Sequence, residues 1–271
     1  MPALELPRVG MGTWHMGESR GERAGEVAAL ALGLDLGLTL VDTAEMYGEG
    51  GAEEVVGAAI RGRRDGVFVV SKFYPHHASR AKLFSACNAS LGRLGIEALD
   101  LYLYHWRGGV PLVETVEALE KLVARGSIRR WGVSNFDVSD LEELTAIPGG
   151  ENVAANQVLY NLERRGIEFD LLPWCREHGV AVMAYSPLDE GPLVHHPKLT
   201  PIARSLGVSA AELAIAWAAR DPLVCAIPKA STPEHVRSNR AAADLRLDAK
   251  TLAALDAAFP PPRRKQRLEI I

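Results

Sequence analysis

Four titratable residues in the first half of the sequence are of types that together could deliver a proton to a substrate: Asp42, Tyr47, Lys72 and His105. A phenol normally keeps its proton until about pH 10. A nearby ammonium group favours the phenolate, so Lys72 would lower the pKa of Tyr47 and improve it as a proton donor near neutral pH. Asp42 would hold Lys72 charged, and His105 would donate a hydrogen bond to a carbonyl oxygen or relay the proton. Reduction of an aldehyde or ketone needs such groups, because the oxygen gains a proton when hydride reaches the carbon.

Taken singly, three of these residues have ordinary structural explanations. Asp42 could cap a helix, Tyr47 could be a loop aromatic, and His105 could be a hydrogen-bonded core histidine, as most buried polar groups are. Lys72 is harder to explain in this way, since the sequence has only seven lysines against 23 arginines and two of the seven end predicted buried strands. An ammonium in such a place must be paired or have a shifted pKa.

Asp42, Lys72 and His105 lie at the ends of short apolar runs that predict buried strands, and Tyr47 lies five residues past Asp42 on the following loop. Each run has four to eight residues rich in β-branched and apolar types, and successive ends are 22 to 44 residues apart, room for a strand, a helix and two loops. Polar groups at the carboxyl ends of successive parallel strands are typical of a (β/α)8 barrel active site, so we predict an α/β fold of the TIM-barrel type. The seven runs end near Asp42, Lys72, His105, Asn135, Gln157, Tyr185 and Lys229.

Amphipathic helical patterns lie between the runs, and several end at a glycine, which favours the left-handed conformation past a last helical turn. Residues 4–14 (LELPRVGMGTW) precede the repeat, and we predict that they form a short hairpin closing the barrel floor. Only residues 240–247 (RAAADLRL) offer an eighth strand. No linker-like stretch interrupts the chain, so we expect residues 1–271 to form one domain. The predicted stop signals are Gly37, Gly95, Gly126 and Gly179.

Composition narrows the class of protein. With 48% hydrophobic residues, 24% charged residues and a net charge of −4, the chain has no electrostatic footprint for nucleic acid or an anionic membrane. No membrane-spanning run or signal-peptide pattern is visible. Cys87, Cys175 and Cys225 lack metal-type spacing, and we expect buried, reduced thiols and no metal. We therefore expect a cytoplasmic monomer, with the basic tail PPPRRKQRLEII exposed to solvent.

The ordered motifs resemble those of the aldo-keto reductases. The resemblance runs from about residue 6 to residue 259, and it implies a (β/α)8 barrel that binds NADP(H) in extended form across its mouth. It also implies that Asp42, Tyr47, Lys72 and His105 form the catalytic tetrad, with Tyr47 as general acid. The absence of a GxGxxG fingerprint after a strand agrees with this. The motifs are GTW at 12–14, DTAEMYG at 42–48, VVSK at 69–72, YLYHW at 102–106, GVSNF at 132–136, NQ at 156–157, YSPL at 185–188 and IPKA at 227–230.

The resemblance also implies which residues hold the nicotinamide. Ser134 and Asn135, with Gln157, would bind the carboxamide, which has both a donor and an acceptor to satisfy. Tyr185 would stack on the nicotinamide ring. Thr13 belongs to the same implied set of cofactor-binding residues.

The phosphates and the adenosine are implied to bind further along the chain. Ser186 and Leu188 would line the pyrophosphate path, Lys229 would meet the 2′-phosphate, and Asn239 the adenine. NADPH is therefore the expected cofactor, and NADH is possible but less favoured.

Two positions near Lys229 depart from the pattern of animal members of the family. Ala230 stands where they commonly have serine, and His235 where they have arginine. Arginine gives a bidentate, always-charged phosphate clamp that histidine does not match. The preference for NADPH should therefore be modest.

The substrate pocket is expected to be shallow and open. The connection after His105, WRGGVPL, is short where animal members have a long lid-like loop. Small carbonyls are the expected substrates, 2-oxoaldehydes such as methylglyoxal and aromatic aldehydes, as in compact bacterial members. The expected pocket walls are Trp14, Phe73, Tyr74 and Trp106.

Two other functions fit part of the pattern. Some relatives of this family are redox-sensing subunits that bind NADP(H) with little turnover, often with an added N-terminal segment, whereas this sequence starts almost directly at the barrel. A barrel lyase or aldolase could use Lys72 or Lys229 as a Schiff-base nucleophile. That alternative leaves the SN, NQ and IPK motifs unexplained.

Overall fold

Eight parallel strands form one sheet in the computed structural model, which describes residues 4–271. Each strand pairs with the next one along the chain. Across the seam, Val9 and Gly12 pair in parallel with Ala226 and Lys229, so the sheet closes into the predicted barrel. The strands are β1 (Met11–Gly12), β2 (Leu40–Asp42), β3 (Phe68–Phe73), β4 (Leu99–Tyr104), β5 (Ile128–Ser134), β6 (Ala155–Leu159), β7 (Ala181–Tyr185) and β8 (Val224–Ala226).

Helices alternate with the strands, as the amphipathic patterns predict. The four predicted glycine stops all have positive φ, and two helices begin with a capping box, Asp137 with Asp140 and Ser209 with Glu212, which satisfies free amides of the first turn. Within residues 4–271 the helices are α1 (Arg23–Asp35), α2 (Gly51–Ala59), α3 (Arg80–Leu94), α4 (Leu112–Ala124), α5 (Val138–Thr145), α6 (Leu171–His178), α7 (Leu199–Ser205), α8 (Ala210–Ala218), α9 (Pro233–Asp244) and α10 (Ala249–Ala258).

The alternation of side chains along each strand produces two apolar layers. One cluster fills the barrel interior with residues such as Leu40, Val70 and Leu103, and a larger cluster packs the outer face of the strands against the helices. Because successive side chains of a strand face opposite sides, Val70 and Lys72 of β3 face the interior while Phe73 faces the helices. The polar side chains of Asp42 and Lys72 thus enter the barrel interior near the carboxyl ends of β2 and β3.

The predicted hairpin and the predicted eighth strand are both wrong in detail. Val9–Gly12 runs parallel to its neighbours and supplies the missing strand itself, while Leu4 and Leu6 pack against the interior cluster at the floor. Residues 240–247 instead lie at the end of α9 and in the loop after it. Pro233 at the first helical position and an alanine run favour this helix.

The C-terminal tail is exposed along most of its length, as predicted, but ion pairs also anchor it to the barrel, which the sequence did not indicate. Lys265 Nζ lies 2.6 Å from Asp170 Oδ2 and 3.2 Å from Asp137 Oδ1. Arg164 pairs with Glu269 at 2.6 Å. The tail is therefore anchored by ion pairs to the loops that follow β5 and β6.

Other expectations from composition can be compared with the described residues. All three cysteines are free and buried, as predicted. Burial raises the pKa of Cys87 and of Cys175 to about 12, so these thiols stay protonated. Within residues 4–271, no helix is long and apolar enough to cross a membrane, and no group of three or more His, Cys, Asp or Glu side chains is arranged to hold a metal ion.

Candidate active site

Lys72 is the centre of a buried hydrogen-bond network at the carboxyl ends of β2 and β3. Its Nζ donates to Asp42 Oδ2 at 2.7 Å, to the Thr43 carbonyl oxygen at 2.8 Å and to the phenol oxygen of Tyr47 at 3.1 Å. Asp42 also accepts a hydrogen bond from Gln157 Nε2 at 2.7 Å, across the barrel. The structure therefore brings together three of the four residues predicted to be catalytic. All three donors of the ammonium are satisfied.

The electrostatics of this network differ in one respect from the expectation. Burial is the largest influence on Lys72 and lowers its pKa, but Asp42 and Tyr47 together raise that pKa above its ordinary value. Desolvation raises the pKa of Tyr47 above 10, and this outweighs the lowering by Lys72. The prediction of a lowered tyrosine pKa is therefore wrong. Tyr47 holds its proton at neutral pH, and the ammonium stabilises the phenolate when that proton leaves.

His105 completes the predicted set from the end of β4. Its ring meets the Tyr47 ring edge-on with 5.8 Å between centroids. Burial, with a smaller contribution from Lys72, lowers the pKa of His105 to about 2, so the imidazole is neutral. Its buried Nδ1 has no hydrogen-bond partner among the described residues. A neutral imidazole can donate a hydrogen bond to a carbonyl oxygen but carries no additional proton to transfer. This favours hydrogen-bond donation over proton relay as the role of His105.

The network opens into a cavity of about 680 Å³ at the barrel mouth, a size typical of ligand sites. Asp42, Tyr47 and His105 contribute to its lining. So do all nine residues predicted to bind the cofactor: Thr13, Ser134, Asn135, Gln157, Tyr185, Ser186, Leu188, Lys229 and Asn239.

Hydrogen bonds hold the predicted nicotinamide-binding residues in place. Ser134 Oγ donates to the Gln157 carbonyl oxygen at 2.9 Å. Asn135 Nδ2 donates to the His105 carbonyl oxygen at 3.2 Å, and its Oδ1 accepts from the Tyr185 hydroxyl at 3.0 Å. Asn135 has φ of 61° and Ser186 has φ of 47°, a region that non-glycine residues rarely adopt outside functional sites. The backbone here is fixed in an unusual shape around the cavity.

The far end of the cavity is more open and carries a cation. Lys229 is exposed, and its Nζ lies 3.4 Å from Ser231 Oγ. His235 and Asn239 line the cavity from α9, whose first turn is capped by Thr232. A helix N-terminus with a nearby lysine favours an anion such as phosphate. An aromatic face, two amides and this cationic end are the groups that a nicotinamide dinucleotide phosphate requires, so the residues present fit NADP(H).

The predicted pocket walls divide into two pairs. Trp14 and Trp106 line the cavity. Phe73 does not line the cavity. It is fully buried on the outer face of β3, where its ring stacks on the Tyr104 ring with 5.1 Å between the ring centroids. Tyr74 lies outside the cavity lining, and its ring meets the Trp106 ring edge-to-face with 6.1 Å between the ring centroids. Strand alternation explains why Phe73 lies outside the cavity: the preceding residue, Lys72, faces the barrel interior, so Phe73 faces the helices.

Sequence reasoning missed several residues of the lining. Glu190 and Gly191 follow the YSPL motif, and that adjacency is a signal that could have found them. The isoleucines of the C-terminal tail carry no such signal, since their place depends on how the tail folds back. The missed residues are Gly12, His15, Met46, Pro187, Glu190, Gly191, Val194, Ala211, Ile227, Pro228, Ser238, Ile270 and Ile271.

Comparison with known proteins agrees with this fold and shows the family. Residues 8–259 match the model of the aldo/keto reductase family. The chain therefore belongs to that family, and it is an oxidoreductase.

Two relatives illustrate the similarity. Methylglyoxal reductase YeaE of Escherichia coli (strain K12) is 51% identical over 273 residues, covering 99% of this chain and 96% of that protein. The crystal structure of an aldo/keto reductase from Klebsiella pneumoniae in complex with NADP and acetate is 54% identical, with a TM-score of 0.96 over 98% of this chain and 96% of that one. A second crystal structure of an aldo-keto reductase from Klebsiella pneumoniae, in complex with NADPH, is also 54% identical, with a TM-score of 0.96 over 98% of this chain and 95% of that one.

Proposed function

We propose that this protein reduces small aldehydes and ketones to alcohols with NADPH, with Tyr47 as the proton donor. The observation that carries the proposal is the 2.7 Å and 3.1 Å contacts of Lys72 with Asp42 and Tyr47, at the base of a cavity that fits the cofactor. A phenol beside a charged ammonium can give up a proton and remain stabilised as the phenolate.

Each residue of the network has a separate task in this reaction. Reduced nicotinamide, when bound, supplies hydride to the carbonyl carbon. Tyr47 gives its proton to the carbonyl oxygen, and Lys72 stabilises the phenolate that results. Asp42 keeps the ammonium charged and directed at the phenol. Neutral His105 donates a hydrogen bond that holds the carbonyl oxygen near Tyr47.

The cofactor is proposed to be NADPH, as in the Klebsiella pneumoniae complexes. Ser134, Asn135 and Gln157 would hold the carboxamide, and Tyr185 the ring. Lys229 would meet the 2′-phosphate, which NADH lacks. Because His235 replaces the arginine of animal members, the preference for NADPH is proposed to be modest.

The substrates are proposed to be 2-oxoaldehydes such as methylglyoxal and aromatic aldehydes. The connection from Trp106 to the start of α4 at Leu112 is short, so remote parts of a large substrate find little to bind. Trp14 and Trp106 offer apolar walls to a small substrate. The related Escherichia coli protein is named a methylglyoxal reductase.

A Schiff base at Lys72, one of the two lysines considered for this alternative, is disfavoured by the hydrogen bonds and the pKa of that residue. A lysine nucleophile must be deprotonated, whereas Lys72 donates to three acceptors and its neighbours raise its pKa. The redox-sensing alternative differs from the proposed reductase in turnover rate, because both functions use the same site geometry. It predicts cofactor binding with very slow turnover.

The test is steady-state oxidation of NADPH, followed by its absorbance, with methylglyoxal, an aromatic aldehyde, a hexose and a steroid ketone. We expect turnover on the order of 1 s⁻¹ or faster with the first two, and poor activity with the others. NADPH binding without turnover of any carbonyl would support the redox-sensing subunit instead. A cytoplasmic monomer also stays a prediction, which light scattering and cell fractionation can test.

A further inference from the structure

A fully buried carboxylate behind the active site, that of Glu53 on α2, joins three elements of the fold. Its Oε1 accepts a hydrogen bond from Ser71 Oγ at 2.5 Å, and its Oε2 accepts from Arg93 Nε at 2.6 Å. Arg93, on α3, also donates to Ser90 Oγ at 3.3 Å. A buried ion pair by itself is weak evidence for a contribution to stability. The contacts that Glu53 and Arg93 make with neighbouring elements point to a different role.

The turn that carries Tyr47 lies directly before α2 and has an unusual backbone. Gly48 has φ of 54°, Glu49 has φ of 53° and Gly50 has φ of 91°. Three successive left-handed residues, one of them not glycine, persist only where surrounding contacts hold them. The position of the Tyr47 phenol therefore depends on what packs against this turn.

The side chain of Arg93 is one of those contacts. A Cβ at Gly50 would lie 2.6 Å from Arg93 Cδ and 2.6 Å from its Nε, so the guanidinium that pairs with Glu53 also packs against the end of the turn. On another side of the turn, a Cβ at Gly48 would lie 2.9 Å from the Met16 carbonyl oxygen. Arg93 and the backbone at Met16 thus pack closely against two sides of the turn, while Glu49 in its middle is exposed.

Ser71 connects the Glu53 carboxylate to the strand that bears Lys72. It precedes Lys72 on β3 and faces the helices, while Lys72 faces the barrel interior. Glu53 thus contacts the strand that bears Lys72, and through Arg93 it contacts the turn that bears Tyr47.

We propose that Glu53, Arg93 and Ser71 form a positioning clamp that sets the distance between Lys72 Nζ and Tyr47 Oη. This inference rests on the proposed role of Tyr47 as proton donor. The three residues are positioning residues, because none of them belongs to the cavity lining. The attraction between an ammonium and a phenolate falls with distance. Loosening the clamp should therefore raise the pKa of Tyr47 and misplace its proton.

The test compares Glu53→Gln with Glu54→Gln as the matched control. Glu54 is the next residue of α2, is exposed and pairs only at the surface with Arg23 at 2.9 Å. We expect Glu53→Gln to lower kcat by about 10- to 100-fold, as misplacement of a reacting group does, with little change in NADPH dissociation constant. The alkaline limb of its kcat–pH profile should move up by about half a unit or more, because Tyr47 is less influenced by Lys72. Glu54→Gln should change none of these.

A purely structural role for Glu53 gives a different result. Glu53→Gln would then melt at a lower temperature, but kcat per NADPH-binding site and the alkaline limb would match wild type, and this outcome overturns the proposal. If Glu53→Gln does not fold, Ser71→Ala decides, since it leaves the Glu53–Arg93 pair intact. We expect it to lower kcat by about threefold, the effect of one hydrogen bond, with the limb shifted in the same direction. A wild-type profile in Ser71→Ala overturns the proposal.

The proposed function and the clamp fail in distinguishable ways. The clamp fails if wild type reduces carbonyls, Tyr47→Phe is inactive and neither Glu53→Gln nor Ser71→Ala alters kcat or its pH profile. The proposed function fails if wild type reduces no carbonyl or if Tyr47→Phe remains active.

Discussion

The side-chain nitrogen of Lys72 lies 3.1 Å from the phenol oxygen of Tyr47, with no solvent-exposed surface of its own. An ammonium so placed changes little while the phenol is neutral, because its charge is already balanced by Asp42 at 2.7 Å. It matters when the phenol loses its proton, since the phenolate then forms beside a positive charge in a place that water reaches poorly. The network is therefore arranged for the charge that develops during proton transfer.

Replacing Lys72 with Met should abolish reduction and destabilise the fold. The substitution leaves the buried carboxylate of Asp42 without its partner, and breaking a buried pair costs roughly 3–5 kcal/mol. Urea unfolding and NADPH oxidation measure the two effects. The double variant Asp42→Asn/Lys72→Met is the control: it should recover part of the stability and none of the activity. A fully active Lys72→Met enzyme would show that Lys72 does not assist Tyr47.

Acid should destabilise the protein through His105. The folded-state pKa of about 2 is far below the unfolded value of 6.5, so between these values the unfolded chain binds one more proton, and stability falls as pH falls. From pH 7 to pH 5 this residue should remove about 2 kcal/mol from the free energy of unfolding. Urea unfolding of wild type and His105→Gln at both pH values measures the difference. An equal loss in both proteins contradicts a neutral, buried His105.

Replacing Lys229 with Ala should weaken NADPH and leave NADH nearly unchanged, because only NADPH carries the 2′-phosphate. The loss of one charge-assisted hydrogen bond is worth about 1.5–3 kcal/mol, and His235→Arg should strengthen NADPH binding by no more than this. Fluorescence titration with both cofactors measures the dissociation constants. Lys250→Ala, at an exposed position on α10, is the control. Equal constants for both cofactors in wild type and in Lys229→Ala refute the assignment.

Replacing Trp106 with Ala should raise KM for an aromatic aldehyde by about tenfold, as the loss of a well-buried apolar contact does, and raise KM for methylglyoxal much less. A large aromatic substrate loses more contact area than a three-carbon one. Val113→Ala, an exposed position on α4, serves as control. Equal changes in KM for both substrates would mean that Trp106 is not part of the substrate wall.

The barrel and the place of its polar residues could be predicted because both depend on local pattern. Runs of apolar residues define the strands, and parallel pairing of neighbours brings Asp42 and Lys72 together whatever the details of packing. The misassigned Phe73 was also within reach of the sequence, since period-two alternation puts it on the face opposite to Lys72.

The features that could not be predicted depend on contacts between distant parts of the chain. The tail reaches the cavity because Lys265 meets Asp137 and Asp170, more than ninety residues away. The raised pKa of Tyr47 results from a balance in which burial and Asp42 raise the pKa and Lys72 lowers it, and the sign of the sum cannot be read from residue types. The pairing of Glu53 with Arg93 likewise appears only once α2 and α3 are packed together.

The most direct test of the proposed mechanism is the activity of Tyr47→Phe, which removes only the phenol oxygen. Tyr74→Phe, which alters a tyrosine next to the cavity but outside its lining, is the control. We expect Tyr47→Phe to bind NADPH like wild type and to lose on the order of 10²–10⁴-fold in kcat for methylglyoxal or an aromatic aldehyde, while Tyr74→Phe stays close to wild type. A Tyr47→Phe enzyme that keeps about a third of the wild-type kcat would contradict the role of Tyr47 as proton donor.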